Sequence, residues 1–374
     1  MNFYELVTIY DKMRKNGVVI FGAGNEGKLA LEVLQSEGIK VFAIADNIKK
    51  TCGDFPCISL EQLIGYEKNV VCVVSPLRFV DKEKMMLSKH FKVVVDNYLV
   101  HMIKYCAMPT SYKSCFPFNH YESPYLSLEE LGRYSESSTM PEGVDLNKEN
   151  QYKVMREISR RYPEFQENIR KTGKRYTTNN NYYNWEDAVV LSTFMILFNT
   201  KKIIEIGSGY STFRMLDTSE EWCGNAVSIN CIEPYPTRLL GGLHKEDRIE
   251  INKKFVQQMP LTIFEELEKN DILFIDSSHV AKSGGDIPYE YFQIFPKLKS
   301  GVIIHVHDIF YPFIYPKSWL EIGRCYNEAF ILRALLTDNE KYEIMYFNNM
   351  MHGELKKTVG DEFESGSSIW LRKK

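Results

Sequence analysis

Four apolar, β-branched runs in the C-terminal half of this chain each end in glycine, acidic residues or histidine. They constrain its fold more than any other feature. In order they are IIEIGSGYST (203–212), CIEPYP (231–236), ILFIDSSH (272–279) and VIIHVHDIF (302–310). Short continuous apolar runs with polar carboxyl ends are the pattern of buried parallel strands. In an open α/β sheet those ends line the ligand crevice. The four runs therefore predict both a sheet and the place of its site.

Composition narrows what the sheet belongs to. With 374 residues, 44% hydrophobic and 25% charged, the chain has globular composition and room for about two domains. A formal net charge of -3 provides no global basic field for nucleic acid or an anionic membrane. The opening MNFYELVTIYDKMRKNG reads as an amphipathic helix without the apolar core of a signal peptide, and no stretch reaches the length of a membrane span. A cytoplasmic protein is expected. The eight cysteines are scattered, with Cys52 and Cys57 the closest pair and no CxxC. Reduced buried thiols are expected rather than a zinc knuckle or a disulfide framework.

The N-terminal part opens with VVIFGAGNEGKLALEVLQSEGIKVFAIADN (18–47). A strand runs into Gly22, Gly24 and Gly27, a helix follows, and a second strand ends at Asp46. This is GxGxxG in the strand, turn and helix context of a dinucleotide or nucleotide-sugar half-site, with backbone amides facing a phosphate. The alternative is a domain whose glycines only make the tight turn. Strand-like runs at 70–76 and 92–98 complete a sheet of about four or five strands. We expect a Rossmann-like domain over 1–105, a connector rich in Pro, Ser, Tyr and Asn over 106–150 with one short helix at 127–134, and a second domain over 151–374. The polar, Tyr-rich stretch RYTTNNNYYNWEDA (175–188) precedes a buried helix and is either a lid over the crevice or a plain surface loop.

The ExGxG spacing of Glu205, Gly207 and Gly209 differs from the dinucleotide fingerprint and suits a ligand without a pyrophosphate. Glu233, ending the second run, is placed to accept hydrogen bonds from a ribose diol. IIEIGSGYST followed by IEPYP, FIDSSH and a strand ending in HD resembles the class I S-adenosylmethionine-dependent methyltransferases over residues 150–374. Among these it is most similar to the branch with macrolide-sugar O-methyltransferases and cephalosporin-hydroxylase-like proteins. The resemblance implies an α/β chain of two Rossmann-like domains, the second a seven-stranded methyltransferase sheet with helices on both faces.

It also implies that Glu205, Gly207, Ser208 and Gly209 border the cofactor, that Glu233 holds its ribose, and that Gln257 or Gln258 lies beside the adenine. Asp276, His307 and Asp308 would converge above the transferred methyl group. In the resembled branch these positions bind magnesium. Here His307 replaces an acidic ligand, and imidazole suits manganese, iron or zinc better. The metal-free alternative makes His279 or His307 the general base, with Asp308 beside it. His305, deeper in its strand, reads as a hydrogen-bonded core histidine. Tyr311, Tyr315 and Trp319 would wall a sugar pocket, or else pack in the core.

The expected activity is O-methylation of a saccharide or sugar-containing precursor, by metal-assisted or histidine-based deprotonation. A metal-dependent oxidoreductase or hydroxylase on the same scaffold is the second reading, and a non-catalytic nucleotide sensor the third. The first domain would hold a sugar nucleotide or NAD, or act as a docking module, and a homo-oligomer is compatible with the sequence.

Overall fold

The computed structural model describes residues 3–67, 69–75, 80–96, 126, 128–134, 140–171, 173–321, 323–361 and 363–374. Most of the expected connector, and the ends of the runs at 70–76 and 92–98, lie outside them. The chain divides into two compact units, Met1–Ser135 with Lys317–Cys325, and Glu136–Pro316 with Tyr326–Lys374. Among the described residues no helix is long and apolar enough to cross a membrane.

The first unit holds a six-stranded sheet in the order β3-β4-β2-β1-β5-β6. Its strands are β1 (Val18–Phe21), β2 (Val41–Ala45), β3 (Thr51–Cys52), β4 (Phe55–Ile58), β5 (Val71–Val74) and β6 (Val93–Asp96). All neighbours pair in parallel except β3 with β4. β1 and β5 are buried along their whole length, as valine-rich strands with side chains on two covered faces must be. Two apolar clusters, one around Ile20, Ile44 and Val73 and one around Val19, Ala43 and Cys72, fill the opposite faces. The short β3–β4 hairpin adds to the strands expected from sequence.

The second unit carries the seven-stranded sheet, ordered β12-β13-β11-β10-β7-β8-β9. It comprises β7 (Lys202–Ile206), β8 (Ser228–Ile232), β9 (Glu250–Asn252), β10 (Ile272–Ile275), β11 (Ile303–Val306), β12 (Tyr342–Phe347) and β13 (Ile369–Lys373). Strands β9, β8, β7, β10 and β11 run parallel, and β13 is antiparallel to both β11 and β12. The four runs singled out in the sequence are the four central strands, so their polar ends share one edge.

Helices pack on this sheet for reasons visible in the chain. In α1 (Lys148–Asn168) Val154, Met155, Ile158, Tyr162 and Phe165 recur at helical spacing and are all buried, the stripe of an amphipathic helix. α2 (Trp185–Leu197) is apolar nearly all round and buried over most of its length, and the Asn184 side chain caps it by accepting from Asp187 N at 3.0 Å. The Tyr-rich segment before it is pinned at its start. Arg175 donates to Asp217 and Glu220, each at 2.9 Å, and to Asp247, while Asp217 also accepts from the backbone N–H of Arg175 and Tyr176.

His305 shows what a central strand tolerates. It is fully buried, lies flat on Phe274 at 3.7 Å between ring centroids, and neither ring nitrogen has a hydrogen-bond partner. Burial lowers its pKa well below the ordinary value, so it is a neutral core side chain. The hydrogen bond expected for it is absent.

Candidate active site

The turn after β7 is built so that two segments of backbone pass closely. Gly207 has φ +78°, and a Cβ there would collide with the Asp276 carbonyl oxygen at the end of β10. Only glycine combines that dihedral with that clearance. The turn then enters α3 (Tyr210–Trp222).

Glu205 does not face the crevice. Its carboxylate is fully buried and accepts from Ser211 Oγ at 2.6 Å, Thr212 Oγ1 at 2.5 Å and Cys231 Sγ at 3.4 Å. Its contribution is to tie the glycine turn to the first turn of α3. Burial raises its pKa from the ordinary 4.5 to about 7, against the pull of the Ser211 and Thr212 hydroxyls. Because the folded protein binds this proton more tightly than the unfolded chain, the associated stability is full below pH 4.5 and lost as pH rises through about 7. Glu205→Gln is therefore expected to gain stability relative to the parent protein as pH rises from 4.5 to 8, by up to about 3 kcal/mol. Urea unfolding across that range checks it; a difference independent of pH would contradict the assignment.

Glu233 ends β8 and is half-buried. It accepts from Ser208 N at 3.1 Å and Tyr235 N at 2.7 Å. An ionised carboxylate has about four acceptor sites, so two remain for further donors. The two glutamines expected near an adenine are now distinguishable. Gln258 Oε1 accepts from Phe255 N at 3.0 Å, closing its own turn. Gln257 donates through Nε2 to the Gly284 carbonyl at 3.1 Å, and its Oε1 is buried without a partner. An orphaned acceptor of this kind fits an amino-bearing base. Together with the Gly207 passage and the free acceptor sites of Glu233, it makes the residues present suited to S-adenosylmethionine.

Arg238, missed in the sequence reading, lies over the glycine turn. Its Cδ would be 3.4 Å from a Cβ at Gly209, and its guanidinium is 3.7 Å above the Tyr182 ring. Tyr182 stacks in turn on Tyr210 at 5.8 Å. The Tyr-rich segment thus touches the turn through Tyr182, whereas Tyr183 is buried.

Asp276, His279, His307 and Asp308 come together at the ends of β10 and β11. His279 Nε2 lies 3.4 Å from Asp276 Oδ1 and 3.5 Å from Asp308 Oδ2, and its Nδ1 is 2.8 Å from Glu328 Oε2. Glu328 begins α4 (Glu328–Leu336), is fully buried and also accepts from the Tyr291 hydroxyl at 3.0 Å. Burial alone would lower the His279 pKa, but bonding to Asp276 and Glu328 and the charge of Asp308 raise it well above the ordinary value. Burial opposes the charge of Asp276 too, yet the two histidines lower its pKa. His279 and Asp308 both have left-handed backbones, φ +58° and +54°; such strain in non-glycine residues concentrates at functional sites.

His307 is held differently. Its Nδ1 is 3.0 Å from Ser368 Oγ, which donates to Asp187 Oδ1 at 2.5 Å. Its Nε2 approaches Asp308 Oδ1 only to 3.7 Å, beyond hydrogen-bond length. Ser367 Oγ donates to the same Asp308 oxygen at 3.0 Å. Burial lowers the His307 pKa while Asp276, Asp308 and Asp187 raise it, and the net shift is upward. The side chains of Asp276 and Asp308 are 31% and 20% exposed, those of His279 and His307 6% and 5%.

This donor set does not fit the metal that the resemblance implies for Asp276, His307 and Asp308. The interval between the two aspartates is spanned by His279, an imidazole engaged on both nitrogens. Among the described residues, no group of three or more His, Cys, Asp or Glu is arranged to hold a metal ion.

The expected sugar wall is also rearranged. Tyr315 is 1% exposed, and its hydroxyl accepts from Ala329 N at 3.1 Å with its ring against Tyr326 and Phe330, so it is core. Tyr311 meets Phe347 edge-on, while Trp319 belongs to the first unit, under the Arg324 guanidinium.

In the first unit, Gly22 has φ +103°, and a Cβ on Gly27 would collide with the Gly22 carbonyl oxygen, so the third glycine permits helix–strand packing. Gly24 has no neighbour where a Cβ would stand. Asp46 accepts from Ala23 N at 2.7 Å and from Ile48 N and Lys49 N at 2.8 Å each. In this geometry Asp46 braces the turn.

Residues 204–309 match the Methyltransf_24 family, described as a methyltransferase domain. A protein of Archaeoglobus fulgidus, described as uncharacterized, is 32% identical over 169 residues, covering 42% of this chain and 76% of its own. Among solved structures, the S-adenosylhomocysteine-bound Podospora anserina methyltransferase PaMTH1 is 15% identical with a TM-score of 0.33, over 70% of this chain and 99% of that one. A Bacillus cereus O-methyltransferase bound to the same product is 13% identical with a TM-score of 0.33, over 59% and 91%. The chain belongs to the family of its archaeal relative, and with a methyltransferase domain spanning residues 204–309 it is an S-adenosylmethionine-dependent methyltransferase.

Proposed function

We propose that the second unit methylates a hydroxyl oxygen of a saccharide or sugar-containing acceptor, with His307 as the proton acceptor. The observation that carries this reading is the asymmetry of the two histidines. Both nitrogens of His279 are engaged by carboxylates, so it offers no lone pair; His307 is anchored through Nδ1 and keeps Nε2 free beside Asp308. The saccharide class comes from the resemblance, supported by the partly exposed carboxylates of Asp276 and Asp308, which can accept hydrogen bonds from hydroxyls.

Bound S-adenosylmethionine supplies an electrophilic methyl group on a sulfonium. Glu233 would hold its ribose hydroxyls, Gln257 Oε1 would accept from its adenine amino group, and Gly207 would let the backbone approach. His307 Nε2 then takes the acceptor's hydroxyl proton as the oxygen becomes nucleophilic. His279, charged between Asp276, Asp308 and Glu328, offsets the negative charge gathered around the reacting oxygen. Alignment and exclusion of water account for the rest.

Incubation with deuteromethyl-labelled cofactor and a panel of saccharides, nucleotide sugars, amines and catechols, read by mass spectrometry, tests the reading. Label on a sugar oxygen is expected. Label on nitrogen, or on a catechol only, would overturn the acceptor assignment.

A further inference from the structure

We infer that Ser368 and Asp187 are positioning residues that hold His307 as its Nδ1–H tautomer, presenting Nε2 to the acceptor; this rests on the role proposed above for His307. The three groups form a file from strand to helix. His307 lies just beyond β11, Ser368 just before the antiparallel β13 that pairs with it, and Asp187 in the first turn of α2. Asp187, Ser368 and His307 are 1%, 0% and 4% exposed, so water does not compete for these bonds.

The direction of the protons follows from who accepts. Asp187 Oδ1 receives the Asn348 amide at 2.8 Å and the Ser368 hydroxyl at 2.5 Å, and Oδ2 receives Ser367 N–H at 3.1 Å. Three donors converge on this carboxyl, which therefore acts as an acceptor; a proton on Oδ2 would leave Oδ1 free to accept as before. The Ser368 hydrogen thus points at Asp187, and a hydroxyl has only one to give. Toward His307 it presents a lone pair, so the ring must donate from Nδ1. The neutral ring then carries its free pair on Nε2, the nitrogen nearest Asp308. Fixing the tautomer through the far nitrogen is a general device of histidine chemistry. Here a serine stands between the imidazole and the carboxylate.

The neighbouring serine does the same for the second group of the site. Ser367 Oγ donates to Asp308 Oδ1 at 3.0 Å. Consecutive serines at the head of β13 therefore orient the consecutive His307 and Asp308 at the end of β11. Both pairs are separated from their partners by about sixty positions of sequence, and only the antiparallel insertion of β13 brings them together.

The test uses the whole 374-residue chain with nitrogen-15-labelled histidine, His307 being assigned by its loss in His307→Gln. At alkaline pH, where the ring is neutral, the parent protein should show the Nδ1–H tautomer of His307; an Nε2–H signal would overturn the proposal without any further variant. Ser368→Ala should lower kcat at least tenfold while leaving KM for the acceptor and Kd for S-adenosylmethionine within threefold, with the ring signal moving toward a tautomer mixture. Ser368→Thr, which keeps the hydroxyl, should recover most of kcat. A folded Ser368→Ala protein with unchanged kcat, or one that loses cofactor affinity in proportion to kcat with the tautomer signal unmoved, would contradict it. Absence of methyl transfer in the parent protein would instead sink the reading of the acceptor, and leaves the tautomer measurement standing on its own.

Discussion

His307→Gln is expected to reduce kcat by roughly a hundred- to ten-thousand-fold, the range for removing a positioned general base. Glutamine keeps an amide near Ser368 and cannot take a proton at neutral pH. Affinity for S-adenosylmethionine should remain within about threefold, because the groups assigned to the cofactor lie on other elements, Glu233 just after β8 and Gln257 in the short helical turn Val256–Gln258. His279→Gln should behave differently. It withdraws an imidazole paired with both Asp276 and Glu328, so loss of activity should come with loss of stability. A His307→Gln enzyme retaining more than about a tenth of kcat would assign proton removal elsewhere, with Asp308 the next candidate by position.

The second large effect concerns the fold. Asp217→Ala should destabilise the second unit by about 3–5 kcal/mol, the cost of removing one partner from a buried ion pair. Asp217 and Arg175 are 1% and 2% exposed at their side chains, so neither is screened by water. Removal also strands two backbone donors, the N–H groups of Arg175 and Tyr176. For a unit of this size the loss corresponds to about 6–20 °C in Tm, and calorimetry reads it directly. A shift below about 2 °C would mean that Glu220 and Asp247 suffice to hold Arg175.

Central strands were legible in the sequence because parallel strands buried on both faces must be continuous apolar runs, and because a site at their carboxyl ends must interrupt those runs with polar residues. Glu233, Asp276, His307 and Asp308 all stand where β8, β10 and β11 end, as the runs predict. Glu205 was misplaced for a reason of strand geometry. It shares a face with Ile203, which packs in the core, and its carboxylate turns toward α3 rather than outward. The alternation along β7 carries this information, while the glycine turn that follows Glu205 marks the strand end as a ligand site.

The rest of the site lacks a local signature. Glu328, Ser368 and Asp187 approach from three distant elements, and nothing in NEAFIL, GSSIWL or NWEDAV distinguishes them from ordinary helix and strand starts. Arg238 likewise sits in a short helix with no pattern of its own. The reading of aromatic residues 311–319 as one wall failed because Tyr315 is consumed by the core and Trp319 by the other unit. His279 could be recognised as a titrating group at a strand end, but its position between two aspartates depends on a left-handed backbone that the sequence does not announce.

Calorimetric titration with S-adenosylmethionine, on the parent protein and on Glu233→Ala, tests most directly that the ends of β7, β8 and β10 form the cofactor site. Saturable binding to the parent protein, weakened about 10- to 100-fold by the substitution, is predicted from the loss of hydrogen bonds to a charged acceptor. Equal affinity in both proteins would place the cofactor away from Glu233 and contradict the site assigned here.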